Sequence, residues 1–346
     1  MYNTIRLAQN KKKTTFVKTL NFVKAPNNPK DYKIIIEKVT TITAVDLSNN
    51  CSPIKNQGSI GACTSFATVA NMEYIEKKSN IRLDILSEKF TYYVTRVNIL
   101  NQDTSDSGAF ITDTIKAVVK YGACLNKTFP YDNDFTKRPP QKAYDEATKY
   151  QAITYAKFDD AYTIDVSRLS TTLNMIKTNL AAGFPIICGF VCYSNIFIAK
   201  NGVIPAQNGE IIGGHAILLV GYDDNKKLFK FKNSWGTSWG DKGYGYISYD
   251  YYLKGDMFDL WSIYTQTANL QTIGINIINP TINKQIILNE MNDILQSMSD
   301  NIKTFNMSKS KSDNYFKFQL NKYKNDSKMV GLITILQQQY NSIILS

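Results

Sequence analysis

Histidine is nearly absent from this sequence, since its 346 residues include only His215. The five cysteines show neither zinc-ligand spacing nor a disulfide framework pattern. No hydrophobic run approaches the ~20 apolar residues of a membrane-spanning helix, and the first residues lack the apolar core of a secretory signal. We therefore expect no metal, no cofactor, no membrane span and a reducing compartment such as the cytoplasm.

Positive charge is concentrated at the two ends of the chain. The net charge is +11, and residues 1–45 hold nine Lys or Arg against two acids, while residues 266–346 hold eight against five. A basic tail can bind nucleic acid, but no basic patch interleaved with aromatic residues accompanies it here. We interpret both ends as solvated, lysine-rich flanks. Nucleic-acid binding is an alternative that rests on tail charge alone.

The middle of the chain changes its periodicity once. Residues 46–150 favour helices, with Ser87 placed to cap one of them, whereas residues 151–265 favour strands. Helices followed by strands predict an α+β catalytic domain over 46–265 with two subdomains and a cleft between them.

The two flanks have separate characters. Residues 1–45 form a basic leader that ends in a predicted strand or extended segment over 32–45. Residues 266–346 contain two apolar stripes at helical spacing, 287–302 and 329–343, which predict a helical C-terminal extension. That extension packs on the body, or it contacts a partner or a second copy.

Cys63 is the candidate nucleophile. It precedes a predicted helix over 64–78 that contains no Gly or Pro, and the partial positive charge of a helix N-terminus favours a thiolate. Gly58 and Gly61 leave room for a substrate backbone because they lack Cβ. Gln57 supplies an amide donor six positions before the sulfur.

His215 and Asn233 are the candidate base and its partner. A thiol nucleophile needs an imidazole base, and the imidazole needs a group that fixes its tautomer. Asn233 follows His215 by 18 residues, in a stretch, 232–240, that holds two of the three tryptophans. A lone histidine is more often structural, so its role depends on these neighbours.

Taken in order, these motifs resemble the papain/cathepsin family of cysteine peptidases. The similar pieces cover roughly residues 46–250 and comprise Gln57-Gly58, Gly61, Cys63, Leu86-Ser87-Glu88, Gly108, Tyr121-Gly122, Pro130-Tyr131, His215-Ala216, Val220-Gly221-Tyr222, Asn233-Ser234-Trp235-Gly236 and Trp239-Gly240. The resemblance implies a papain-like fold, with a helical half, an antiparallel barrel-like half and a cleft between them. The short leader and the few cysteines look like the bacterial and large-virus branch, so packaging in a virus particle is a second possible location.

The resemblance implies a cysteine endopeptidase that acts on polypeptides through a thioester acyl-enzyme. Cys63 would attack as a thiolate paired with protonated His215, and Asn233 would orient the imidazole. Gln57 and the backbone N–H of Cys63 would form the oxyanion hole, and Trp235 would shield the histidine. A catalytically inactive papain fold that binds other molecules is the alternative.

The resemblance implies a less defined substrate cleft. Its substrate-binding positions would be Gly61, Ser107, Gly108, Gly214 and Ala216. Ala109, Phe110, Gly189 and Ala216 would line the walls, which implies an apolar preference. Two departures from the family pattern are Ile60 in place of a half-cystine and Thr64 in place of a tryptophan.

The leader has two possible roles. As a short propeptide, residues 1–45 would cover the cleft and keep the enzyme a zymogen until they are removed. As a terminal strand, they would complete the fold.

Overall fold

The structure is a computed structural model. It describes residues 31–36, 40–79, 84–102, 105–152, 154–158, 166–264 and 275–278, together with Leu20, Phe22, Lys24, Ala25 and single positions between 313 and 337. The apolar positions of both predicted C-terminal stripes lie outside the described residues. Two described residues of the extension, Phe316 and Ile333, are buried in an apolar cluster shared with the catalytic domain.

The N-terminal half of the catalytic domain is helical. Helix α1 begins at Cys63, one residue before the predicted start at Thr64, and 13 consecutive residues from Cys63 to Ile75 are buried. A helix buried on every side needs small and apolar residues on all its faces, which explains its lack of an amphipathic stripe. Ser87 caps α2, because its Oγ accepts the Phe90 N–H at 3.1 Å. In the described part of this half the α-helices are α1 (Cys63–Lys78), α2 (Glu88–Tyr93), α3 (Ile111–Lys120) and α4 (Gln141–Ala147), and a π-helical segment, Val94–Ile99, continues α2.

The other half is a sheet with two further helices, α5 (Val166–Ala181) and α6 (Tyr249–Leu253). In the described residues its strand order is β7-β6-β5-β4-β8-β3-β1-β9, with β2 paired to β5. All pairings are antiparallel except that of β1 with β3. The strands are β1 (Lys33–Ile36), β2 (Ala44–Asp46), β3 (Thr154–Lys157), β4 (Ile186–Tyr193), β5 (Ile211–Asp223), β6 (Leu228–Lys232), β7 (Tyr244–Ser248), β8 (Met257–Tyr264) and β9 (Ile275–Ile278).

Helix α1 joins the two halves. One apolar cluster contains buried residues of α1 and α3 together with residues of β4, β5 and β8. The helix that begins at Cys63 therefore packs against the strand that carries His215, which brings residues 152 positions apart to one place.

The predicted α+β class with two subdomains is confirmed. The limits drawn at residues 45 and 265 stay predictions, since β1 and β9 from the two flanks lie in the same sheet as the central strands. All five cysteines are buried, and no disulfide joins any two of them in the described residues. Among the described residues, no helix has the length and apolar character to cross a membrane.

Candidate active site

The structure brings His215 and Asn233 into contact. His215 lies in β5 and Asn233 directly after the neighbouring strand β6, so the antiparallel pairing brings them together. His215 Nε2 is 2.8 Å from Asn233 Oδ1, and both side chains are buried. Because Oδ1 also accepts the Ser234 N–H at 2.8 Å, the oxygen of the amide faces the ring. The hydrogen of the imidazole–amide contact therefore belongs to Nε2, which makes Nδ1 the basic nitrogen of the neutral ring.

Trp235 lies against the imidazole. The rings of Trp235 and His215 stack with centroids 4.6 Å apart and an interplanar angle of 29°. Trp239 contacts Trp235 edge-on, with centroids 5.2 Å apart. Trp235 is buried, so it keeps water from the His215–Asn233 contact, as its predicted shielding role requires.

Cys63 lies in the first turn of α1 and is 1% exposed. Burial raises the pKa of its thiol to about 12, while the backbone N–H groups of Ala216 and Thr64 act in the opposite direction. Ala216 directly follows His215, so the thiol lies beside the strand position that carries the imidazole. We expected the helix N-terminus to lower the thiol pKa, but in this buried setting desolvation is the larger effect.

Gln57 is held in place by hydrogen bonds of both its side chain and its backbone. Its Oε1 accepts the Ser234 hydroxyl at 2.6 Å, its Nε2 donates to the Ile60 carbonyl at 2.9 Å, and its backbone carbonyl accepts the Tyr131 hydroxyl at 2.9 Å. A side-chain amide carries two hydrogens, so one donor remains for an oxyanion. Ser234 directly follows Asn233, so its hydroxyl links the Gln57 side chain to the segment that carries Asn233.

Buried charges lie behind Gln57 and Asn233. Lys55 Nζ contacts Glu73 Oε1 of α1 at 2.6 Å and Glu88 Oε1 of α2 at 2.5 Å. Lys232, next to Asn233, donates to the Pro53 carbonyl at 3.2 Å, and burial lowers its pKa. These pairs fix the segment that carries Gln57 against both helices, because leaving one partner alone in the interior would be costly.

The predicted substrate positions Gly61, Ser107 and Gly108 lie in the segments before α1 and α3, whereas Gly214 and Ala216 lie in β5 on either side of His215. The Gly61 N–H donates to both carboxylate oxygens of Asp106, and the Ser107 hydroxyl donates to Gln102 at 2.7 Å. The Gly108 N–H donates to the Tyr92 hydroxyl at 3.1 Å, so it already has a partner. A substrate backbone at Gly108 would have to pair with its carbonyl or displace this hydroxyl.

Phe22 of the leader packs against Gly189 of β4 and Phe258 of β8. A Cβ added at Gly189 would lie 1.9 Å from its Cε1, and its ring stacks on Phe258 with centroids 5.8 Å apart and an interplanar angle of 10°. Phe22 is 1% exposed and belongs to the same apolar cluster as Cys63 and Ala216. Gly189 pairs with Ala216 across β4 and β5, and the Ala216 N–H contacts the Cys63 thiol. The pocket that Phe22 fills is therefore connected to the candidate nucleophile through one strand pairing.

Residues on either side of Phe22 also contact this surface. The Leu20 carbonyl lies so close to Gly213 that a Cβ there would come within 2.0 Å of it, and Gly214 separates Gly213 from His215. Further along, the Ala25 N–H donates to Asp259 Oδ2 at 3.0 Å. We call the surface formed by Gly189, Gly213, Phe258 and Asp259 the leader-binding wall.

Asp259 is strained and fully buried. It has a positive φ of 58°, at a shift in register between β4 and β8. Its Oδ1 accepts the Trp261 indole N–H at 3.2 Å and lies 3.7 Å from Lys157 Nζ. These contacts fix the orientation of the carboxylate, so Oδ2 is positioned to accept the Ala25 N–H of the leader.

The sequence predicted that Gly189 lines a wall of the substrate cleft. It did not predict the leader contacts of Phe22, Phe258 and Asp259 or the hydrogen bond between Ser234 and Gln57. The apolar run Leu20-Asn21-Phe22-Val23 inside an otherwise basic leader was a usable signal for Phe22. Nothing local marks Phe258 or Asp259, because their role arises from sheet pairing with β4.

Comparisons with known proteins agree with this geometry. A sequence model described as papain family cysteine protease matches residues 41–258. An uncharacterized peptidase C1-like protein of Acanthamoeba polyphaga mimivirus is 35% identical over 244 residues, which cover 68% of this chain and 77% of that one. Xylellain, a cysteine protease from Xylella fastidiosa, superposes with a TM-score of 0.60 at 28% identity and covers 72% of this chain and 97% of its own.

A third similar structure supports the fold alone. It is digestive procathepsin L 3 of Tenebrio molitor larval midgut, with a TM-score of 0.55 and 18% identity over 71% of this chain and 76% of that one. The family model matches well over half of the chain, in the residues that form the cleft described above. The chain therefore belongs to the papain family of cysteine proteases and is a papain-like hydrolase of peptide bonds.

Proposed function

We propose that this protein is a cysteine endopeptidase in which Cys63 is the nucleophile and His215 the general acid and base. The observation that carries the proposal is the 2.8 Å contact between Asn233 and His215. His215 lies in β5, the strand that flanks Cys63. That contact leaves Nδ1 as the basic nitrogen, on a ring whose face is covered by Trp235.

The reaction follows from this arrangement. His215 Nδ1 takes the thiol proton, and the Cys63 sulfur attacks the scissile carbonyl carbon to give a tetrahedral oxyanion. The free hydrogen of Gln57 Nε2 and the Cys63 backbone N–H donate to that oxygen. His215 then protonates the leaving amine and a thioester forms. Water, deprotonated by His215, hydrolyses the thioester and releases the acid.

The leader gives a basis for proposing the substrate class. Phe22 fits a pocket bounded by Gly189 and the Phe258 ring, so a large apolar or aromatic side chain suits that pocket. We propose that a polypeptide substrate places such a residue there. This sharpens the general apolar preference that the sequence implied.

The same contacts support self-inhibition. A substrate needs the pocket that Phe22 fills and access to a thiol that is 1% exposed. We propose that the leader keeps the enzyme a zymogen by occupying the leader-binding wall.

Labelling tests the enzymatic proposal against the inactive binding fold. The protein is incubated with a thiol reductant and an irreversible cysteine-peptidase inhibitor, and peptide mapping then locates the adduct. We expect one adduct on Cys63, absent from Cys63→Ala, and none on the buried Cys124. Because the leader covers the thiol, the Phe22→Ala variant is labelled in parallel. If that variant is folded but forms no adduct on Cys63 and cleaves no peptide with an aromatic residue, the protein is the inactive fold.

A further inference from the structure

The leader consists of two parts that contact different regions. Leu20, Phe22 and Ala25 touch the leader-binding wall, whereas Lys33–Ile36 form strand β1 of the main sheet. Five residues, 26–30, connect Ala25 to Asp31. The two roles that the sequence left as alternatives, covering the cleft and completing the fold, therefore belong to different parts of one leader.

Strand β1 is built into the catalytic domain. The Lys157 N–H of β3 donates to the Tyr32 carbonyl at 2.8 Å, and Lys33 pairs with Lys157 in parallel register. The Tyr32 and Tyr155 rings meet edge-on with centroids 5.7 Å apart. Ile34 is 4% exposed and belongs to the apolar cluster between the sheet and α5. β1 contacts Lys157 through its backbone, and the same residue reaches the leader-binding wall only through its Nζ, 3.7 Å from Asp259 Oδ1.

Strand β1 also holds the C-terminal flank. It pairs with β9 through four antiparallel positions, from Lys33 with Ile278 to Ile36 with Ile275. In the part of the chain that the structure describes, β9 is the last strand of the sheet and β1 its one neighbour. Ile275 is fully buried in the same cluster as Ile34. Loss of β1 would leave β9 without its hydrogen-bonding partner and would expose both isoleucines.

We propose that activation hydrolyses one peptide bond between Ala25 and Asp31 and that residues 31–36 stay in the mature enzyme. Water adds across that amide, which gives a carboxylate on the departing segment and an ammonium on the retained chain. The cut frees the leader-binding wall and preserves the anchor of the C-terminal extension. A cut near residue 45 would also remove β1 and part of β2, whose Ala44–Asp46 pair with β5. The cleavage position rests on the zymogen role proposed above, whereas the anchoring role of β1 does not.

N-terminal sequencing and intact mass locate the cut. The full-length protein is activated under reducing conditions beside Cys63→Ala. We expect the active protein to begin between residues 26 and 31, with residues 31–346 retained. A mature N-terminus at residue 37 or later, or a fully active protein that keeps Met1, would overturn the proposed cleavage position.

Hydrogen exchange tests the anchor independently of peptidase activity. In the inactive Cys63→Ala background, the buried Ile34 and the 45% exposed Ile35 form a matched pair on the same strand. We expect Ile34→Asp to speed exchange of the Ile275–Ile278 amides at least about tenfold, and Ile35→Asp to leave them unchanged. Exchange that is equally slow in Ile34→Asp and its parent would overturn the anchoring role.

The two measurements separate the possible failures. If Cys63 forms no adduct and no peptide is cleaved, the proposed function fails, while the exchange result still decides the role of β1. If the enzyme is active but begins after Ile36, only the cleavage position fails.

Discussion

The two sides of the cleft differ in what completes them. The side with Cys63, His215, Asn233 and Gln57 is fixed by α1, β5 and the segment before α1, all within the stretch that matches the papain family. The leader-binding wall is covered by Leu20, Phe22 and Ala25, which precede that stretch. The candidate catalytic residues and the leader residues that cover the substrate pocket therefore come from different parts of the chain.

This difference has an energetic reason. The catalytic side is held by buried hydrogen bonds and ion pairs among residues of the folded domain, so removing one member disrupts its neighbours. The wall is apolar apart from Asp259 and contacts the leader mainly through one ring. An apolar contact of that size can be lost without unfolding the domain, as a removable inhibitor requires.

The largest effect should come from the nucleophile. Cys63→Ala removes the sulfur, and we expect kcat/KM for a fluorogenic peptide to fall at least about 10⁴-fold. Cys192→Ala is the matched control, because Cys192 is also buried but lies in β4. Comparable losses in the two variants would show that Cys63 acts through folding and not through chemistry.

The next effect should come from the leader. Phe22→Ala keeps the catalytic side intact and removes the ring from the pocket. Truncating a buried Phe costs about 3–5 kcal/mol, so we expect the initial rate of the unprocessed protein to rise about a hundredfold or more. Tyr32→Ala truncates a leader aromatic outside the cleft, and it should leave that rate unchanged. An unprocessed Phe22→Ala protein as inactive as its parent would contradict self-inhibition through this pocket.

A smaller effect should come from the wall itself. Gly189→Ala places a methyl group where Phe22 Cε1 now lies. Overpacking costs about 1–3 kcal/mol, so we expect roughly a tenfold rise in the initial rate and a shift towards substrates with smaller apolar side chains. In the double variant with Phe22→Ala, the gain from Gly189→Ala should disappear. If the rate increases of the two single variants add in the double variant, the methyl group does not act through its contact with Phe22.

The residues of the catalytic side could be predicted from the sequence because each motif is a short, continuous stretch of the chain. Helix α1 begins at Cys63, one residue before the start that the run without Gly or Pro predicted, and antiparallel strands bring Asn233 to His215 across 18 residues. Spacing alone did not reveal that the Gly108 N–H bonds to Tyr92, since that contact depends on how α2 packs.

The leader-binding wall was not readable in the same way. Strand β8 was not predicted, since its eight buried residues include Asp259 and show no alternation. Helix α5 was missed as well, because its Ser- and Thr-rich sequence has low helix propensity and the helix is stabilised by packing on the sheet. The pocket for Phe22 arises only when β4 and β8 pair.

The smallest predicted effect comes from Asp106, whose charge acts on Cys63. Its carboxylate accepts hydrogen bonds from the Gly61 N–H and the Tyr92 hydroxyl, and its charge adds to the burial that raises the pKa of Cys63. Asp106→Asn keeps an acceptor oxygen but removes the charge. The thiolate becomes easier to form, so the pH dependence of Cys63 alkylation should move to lower pH by less than about one unit.

The measurement uses Phe22→Ala as the parent, since its cleft is open to the alkylating reagent. Burial raises the pKa of Asp106 as well, so the charge is present only above that pKa. The alkylation rates of parent and variant should therefore converge at low pH and separate as the pH rises, with the variant faster. Asp134→Asn, which removes an exposed carboxylate, should match the parent throughout. A constant ratio at every pH would mean that Asp106 acts on access to the thiol and not on its ionisation.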